Sequence, residues 1–199
     1  GLRGFRKMIL NIKHALFYYE HLFDNPNNLE QIKNFAIRER SGFGLELYLK
    51  ETAAFDEEHL LNSTYLVKDK KSHDIVGYFS LKTGLFTVES PTIEEYFDTI
   101  PSVELSNFAV NALYRANHPE VKQIGEILFR SFILPTVQHI QNFVAVKALY
   151  IYALPEDKLI SHYQKLGFSR LDDEEEKFVH SHVKPKYDSG TSYILNDAY

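Results

Sequence analysis

The groups best placed to do chemistry in this 199-residue chain are a tyrosine, a glutamate and a few histidines. There is no cysteine, which removes thiolate nucleophiles, thiolate metal ligands and disulfides. Tyr163 heads the group because P-E-D-K-L-I-S-H-Y-Q-K-L-G-F, 155–168, reads as a complete helix that delivers it to a fixed place. Pro155 suits the first helical position, Glu156 and Asp157 favour the positive end of the dipole, and Gly167 suits the left-handed residue that ends the helix. Leu159, Ile160, Tyr163 and Leu166 fall on one face, with Phe168 placed to fold back over the last turn, so Tyr163 is predicted to point into the protein. Glu104 belongs to a run of strand composition. His180-x-His182 could share one face of a strand, but no third ligand is in reach, so no metal site is predicted. His118 lies in a polar loop where it could meet an anion. Tyr150 and Tyr152 read as sheet packing, and the five consecutive acids at 172–176 as a solvated turn.

Two helices are predicted first. Asn25-Pro26 offers a cap and a first residue for a run with Leu29, Ile32, Phe35 and Ala36 at helical spacing. Ser41-Gly42 breaks it, and a second helix follows over 43–59. The β-rich runs 64–67 and 75–81, with a turn-like segment between them, predict an antiparallel hairpin. Residues 91–101, with two prolines and an acidic cluster, read as a loop or a short surface helix. The run 103–110 is expected to be a strand covered on both faces in its later half, followed by a loop and a helix from 123 to about 140, kinked or ended by Pro135. Residues 144–153 read as a central buried strand. Strand, helix and strand make a β-α-β unit, so the two strands are predicted to be parallel with a right-handed crossover. Residues 191–195 read as a closing strand.

One domain, 8–199, is the expectation, since the chain shows no internal repeat or low-complexity linker. Met8 is the only methionine, so 1–7 are set aside as an expression remnant. With 27 acidic against 22 basic residues, a general polyanion binder is disfavoured, although local basic patches stay open. No apolar run approaches the roughly 18 residues that span a bilayer, and a cytoplasmic protein with no membrane partner is expected.

H-Y-Q-K-L-G-F at 162–168 resembles the signature near the C-terminal end of the GNAT superfamily of acyl-CoA-dependent N-acyltransferases. The order hairpin, strand, loop, helix, strand, helix, strand is similar to that family's over most of the chain. I-V-G-Y-F-S-L at 75–81 resembles the second hairpin strand, and V-E-L-S-N-F-A-V at 103–110 the strand that contacts acyl-CoA through its backbone. G-L-E-L-Y-L-K-E-T-A at 44–53 resembles a helix of the branch that includes toxin acetyltransferases. The resemblance implies an α/β fold: a mixed, mostly antiparallel central sheet with a central parallel β-α-β unit and helices on both faces. One stretch departs from the pattern. In the family's phosphate loop, R/Q-x-x-G-x-G/A, only Gly125 stands in register here, with Gln123 at the middle glycine and Glu120 at the arginine; Arg115 is the alternative arginine if the loop is expanded.

The resemblance further implies acetyl-CoA as cofactor and direct transfer of its acetyl group to a primary amine in a ternary complex. Phe108, Ala109 and Val110 would face the cofactor, and Lys122, Gln123, Ile124, Gly125 and Glu126 would hold its pyrophosphate. Tyr163 is the expected general acid for the departing thiolate. A phenol near 10 donating to a thiolate near 8.5 is uphill by roughly 2 kcal/mol, so a gain on the order of 100-fold is expected when donation is coupled to bond cleavage. Glu104 is the expected base, acting through water. A lysine amine near 10.4 needs that help, whereas an α-amine near 8 needs little. The acceptor is expected to be a small-molecule or peptide amine, with tRNA only under the alternative of a toxin-like acetyltransferase of charged tRNA. A non-catalytic module and a homodimeric state both stay open.

Overall fold

The computed structural model describes residues 10–89, 92, 96–153, 156–182 and 191–195. Met8, the segment 1–7, Pro91 and Pro155 lie outside them. The chain divides into two compact units, one built from 1–81 and 107–136, the other from 82–106 and 137–199.

The first unit carries strands β1 (Phe17–His21) and β2 (Ser63–Asp69), the start of β3 (Ile75–Glu89) and the end of β4 (Phe97–Val110), in the order β1-β2-β3-β4. β1 and β2 pair antiparallel from Phe17↔Asp69 to His21↔Tyr65, and β2 and β3 from Ser63↔Leu81 onwards. β1 was not foreseen from the sequence. Its F-Y-Y-E-H has period two, with Phe17, Tyr19 and His21 buried and Tyr18 and Glu20 half-buried. The β2–β3 turn is held by Asp69, whose carboxylate accepts from the N–H groups of Lys71 (2.7 Å) and Ser72 (3.2 Å).

The predicted first helix is only the short α1 (Asn28–Gln31) and a 3-10 turn at Ile32–Asn34, because Phe35 is already extended (ψ 136°). Ile32 and Phe35 are buried as predicted, while Leu29 is exposed. The second helix runs 43–58 as α2 (Phe43–Leu47), a π turn at Tyr48–Thr52 and α3 (Ala53–Glu58). Leu22, Ile32, Phe35, Tyr48, Leu49 and Ala53 pack on Leu66 and Tyr78 from one face of this part of the sheet. Phe132, from the helical run 124–140, packs on Tyr19 from the other, their rings tilted at 54° with centroids 5.4 Å apart. Helices therefore cover both faces, as the resemblance implies.

That helical run comprises α5 (Ile124–Leu128), a π turn at Phe129–Ile133 and α6 (Leu134–Ile140). Leu134 N–H reaches back to Phe129 O, one residue further than in an α-helix, immediately before Pro135. A proline has no N–H and crowds the preceding turn, so the wider turn lets the helix pass through it. The expected kink or stop resolves as this single wide turn. Before the run, a short α4 (Ala112–Asn117), capped by the Asn111 side chain on Leu113 N–H at 3.2 Å, occupies residues read as loop.

The second unit carries the rest of β3 and β4, then β5 (Ala148–Ala153), β7 (Thr191–Leu195) and β6 (Phe168–Arg170), in the order β3-β4-β5-β7-β6. β4 and β5 are parallel, with Ser102↔Ala148, Val103↔Leu149 and Glu104↔Tyr150, as the β-α-β reading predicts. β7 is antiparallel to both β5 and β6, so the closing strand inserts rather than caps. β4 starts at Phe97, inside the stretch read as loop or helix, and Pro101 accepts from Lys147 N–H at 2.8 Å. β5 starts later than predicted; Phe143 and Val144 are exposed.

Helix α7 (Asp157–Lys165) and α8 (Asp173–His182) complete this unit. The acidic run is not a turn. Asp172 accepts from Glu174 and Glu175 N–H groups, and the acids that follow fill the first turn of α8, where the dipole favours them. Glu176 is buried and forms a two-pronged pair with Arg170, at 2.7 and 2.9 Å. His180 and His182 fall on this helix, not on a strand.

Candidate active site

Tyr163 sits two turns into α7. The helix closes with Leu166 N–H on Tyr163 O (3.0 Å) and Gly167 N–H on Gln164 O (3.0 Å), and Gly167 takes φ 102°, the left-handed region expected of it. Tyr163, Leu166 and Phe168 are all buried, and the Phe168 ring meets that of Tyr163 edge-on at 5.6 Å. Burial pushes the Tyr163 phenol well above its ordinary range. It therefore keeps its proton at any working pH and can give it up only to a base formed beside it.

Glu104 belongs to the same unit and stands in a row across three strands. Its Oε2 accepts from the Tyr150 hydroxyl on β5 at 3.1 Å and lies 3.4 Å from Lys82 Nζ on β3. The carboxylate side chain is 14% exposed and that of Lys82 41%. Burial first, then the Glu104 charge, push the Tyr150 phenol up, and the same two causes push Tyr152 up to about 12. Tyr150 and Tyr152 pack edge-on at 5.7 Å. The reach of Tyr150 to Glu104 depends on Gly84: a Cβ there would lie 2.5 Å from Cε1 and 2.6 Å from the hydroxyl of Tyr150. Lys82 and Gly84 escaped the sequence reading. A glycine inside a strand pattern marks close approach, and that was the available signal.

The residues expected to meet a cofactor lie in the first unit. Phe108 and Ala109 are buried and Val110 half-buried at the end of β4. Asn111 fixes that end: its N–H donates to Val76 O (2.9 Å), its side-chain amide to Ile75 O (2.8 Å), and Ala112 N–H reaches Ala36 O (2.8 Å). A Cβ on Gly77 would meet Ala109 O at 2.7 Å, so β3 lies tight against β4 here.

At the start of α5, Gln123 adopts φ 55°, ψ 38°, the left-handed conformation that a glycine takes without cost. Gln123 thus takes, with a side chain attached, a backbone conformation that a glycine would accept freely. The first intrahelical bond is Ile127 N–H to Gln123 O at 3.0 Å, so the N–H groups of Ile124, Gly125 and Glu126 precede the helix ladder in the manner that suits a phosphate. Glu126 is turned to Arg130 at 2.9 Å, and Lys122 is exposed. These residues fit a pyrophosphate. Arg115 lies within α4, and His118 pairs with Glu120 at 3.1 Å while stacking on Tyr114 at 4.2 Å.

Tyr114 hydroxyl donates to Asp69 at 2.6 Å, tying α4 to the β2–β3 turn. Burial alone would raise Asp69, but the bonds from Tyr114, Lys71 and Ser72 outweigh it and hold the carboxyl below its usual range. Among the described residues, no group of three or more His, Asp or Glu could hold a metal ion, and no helix is long and apolar enough to cross a membrane.

A largely antiparallel sheet with one parallel β4–β5 pair, a glycine-ended tyrosine helix after β5 and a helix N-terminus after β4 define the GNAT fold. Solved structures share it. A KacT mutant aligns over 90% of this chain and 94% of its own, at 19% identity and TM-score 0.64. An AtaT mutant, bound to the C-terminus of the antitoxin AtaR and to acetyl-CoA, aligns over 89% and 91%, at 20% identity and TM-score 0.60. AtaT complexed with acetyl-methionyl-tRNAfMet aligns over 89% and 93%, at 17% identity and TM-score 0.61. No protein-family model and no curated protein sequence matches the chain.

Proposed function

We propose that residues 8–199 act as one N-acetyltransferase domain, moving the acetyl group of acetyl-CoA directly to a primary amine. The observation that carries this reading is Tyr163, aimed inward by α7 within a fold shared with acetyl-CoA-bound AtaT. That both AtaT and KacT were studied as tyrosine-to-phenylalanine mutants supports a working tyrosine in this fold.

In this reading the N–H groups of Phe108, Ala109 and Val110 hold the cofactor's arm and polarise the thioester carbonyl. Those of Ile124, Gly125 and Glu126, with Lys122 and the left-handed Gln123, hold its pyrophosphate. Glu104 takes the proton of the attacking amine, through water, while Tyr150 orients the carboxylate. Tyr163 gives its proton to sulfur as the C–S bond breaks. With its phenol raised by burial, that donation follows the developing thiolate charge rather than preceding it.

The direct test is thiol release from acetyl-CoA with a panel of amines. Absence of acetyl-CoA binding by calorimetry would refute the reading.

A second reading narrows the acceptor to the α-amine of a charged tRNA, and the AtaT complex with acetyl-methionyl-tRNAfMet favours it. An α-amine near pKa 8 needs less help from a base than a lysine does. Growth arrest on expression, relieved by an antitoxin, separates it from a small-amine enzyme.

A further inference from the structure

We infer that Lys82 is itself an acceptor, so that the chain acetylates its own Lys82 side chain. The inference rests on the acetyl-transfer reading above and on one further fact of geometry. The carboxylate assigned there as base already has an amine beside it: Lys82 Nζ, 3.4 Å from Glu104 Oε2.

Three features set this amine apart from an ordinary cross-strand ion pair. The same Glu104 oxygen, Oε2, also accepts from the Tyr150 hydroxyl at 3.1 Å, so the carboxylate is oriented rather than swinging in solvent. The Tyr150 ring is itself seated over the backbone of Gly84, two residues beyond Lys82 on the same strand and face. Lys82 remains 41% exposed, so its amine is open to an incoming acetyl group while it stays beside the carboxylate. An amine tethered at the base has already lost the translational freedom that a solution amine gives up on binding, and this favours it as first acceptor.

The step balances without a further reagent. The Lys82 ammonium passes one proton to Glu104, and its nitrogen bonds to the acetyl carbon. The C–S bond breaks, Tyr163 donates its proton to the thiolate, and the proton on Glu104 returns to the Tyr163 phenolate through water. The second proton on nitrogen leaves to solvent as the amide forms. The product amide is neutral, so Glu104 loses its cation and keeps the Tyr150 hydrogen bond.

The test incubates the full chain with acetyl-CoA and no other amine, followed by intact mass and peptide mapping across a protein dilution series. The expected result is one acetyl group, on Lys82, forming at the same fractional rate at every dilution. It should form at least about 100-fold more slowly in Tyr163→Phe and be absent from Lys82→Arg. Acetyl groups spread over exposed lysines such as Lys13 and Lys71, at rates unchanged in Tyr163→Phe, would overturn the inference as background chemistry. An unmodified Lys82 in protein that releases thiol with external amines would overturn the inference alone. Protein that neither binds acetyl-CoA by calorimetry nor releases thiol with any amine would overturn the acetyl-transfer reading and this inference with it.

Discussion

Replacing Gly84 with alanine should loosen the Glu104 site by displacing Tyr150, two strands away from the glycine. The added Cβ would lie 2.5, 2.6 and 2.8 Å from Cε1, the hydroxyl and Cζ of Tyr150. The ring must therefore retreat by about 1 Å to regain ordinary contact near 3.5 Å. Tyr150 is buried, and its hydroxyl spans 3.1 Å to Glu104, so a shift of that size strains the packing and breaks the hydrogen bond together. Overpacking costs about 1–3 kcal/mol, and losing a hydrogen bond to a carboxylate adds to it. The stiffer unfolded chain gives back about 0.4–1 kcal/mol. A net loss of about 2 kcal/mol would lower the melting temperature by about 4–8 °C in a chain of this size. Thermal and urea denaturation read the loss, and the same change in a Tyr150→Leu background reads its cause, because the ring is then gone. If Gly84→Ala melts at the wild-type temperature, or its penalty is undiminished with Leu at 150, the proposed seat for Tyr150 is wrong.

Other perturbations reach different parts of the molecule. Tyr163→Phe should keep the fold, since the ring contact with Phe168 survives, and lower amine-dependent thiol release by on the order of 100-fold or more; intact turnover would remove the acid role. Gln123→Gly should relieve a left-handed cost of about 1–2 kcal/mol, less the flexibility that glycine adds to the unfolded chain, and so leave stability equal or up to about 1 kcal/mol higher. Urea denaturation checks this, and a clear loss would mean that the Gln123 side chain holds the loop. Arg170→Ala leaves the buried Glu176 carboxylate without its two bonds, which should cost about 2 kcal/mol in the same assay. Tyr114→Phe tests the Asp69 clamp by pH. The folded pKa of Asp69 is depressed, so its contribution is complete above the ordinary carboxyl value of about 3.9 and is lost as pH falls through the lower folded value. The mutant should be less stable than wild type at neutral pH, and the gap should close below about pH 4; a gap independent of pH would refute the assignment.

Local rules were enough wherever a signal and its consequence lay within one turn or one strand. The glycine that ends the Tyr163 helix has the left-handed φ its position demands, Tyr163 and Leu166 on its apolar face are buried with Leu159 and Ile160 half-buried, and the β4–β5 pair is parallel because a helix intervenes. The same rules misread segments whose conformation is settled by partners far along the chain. F-Y-Y-E-H becomes β1 because residues 65–69 offer it a ladder, and residues from Phe97 onwards extend β4 through a proline. The acidic run becomes a helix start once Asp172 caps it and Arg170 pairs with Glu176.

The site divides in the same way. Tyr163 and the helix start at Ile124 could be singled out from spacing alone, because caps, dipoles and periodicity act over a few residues. The left-handed Gln123, the wide turn ahead of Pro135 and the row Lys82, Glu104, Tyr150 over Gly84 needed the folded chain. That row unites residues from three strands, the last lying 46 positions beyond Glu104. Which side chains face one another across a sheet is fixed by register, and register is set by the whole sheet rather than by any one strand.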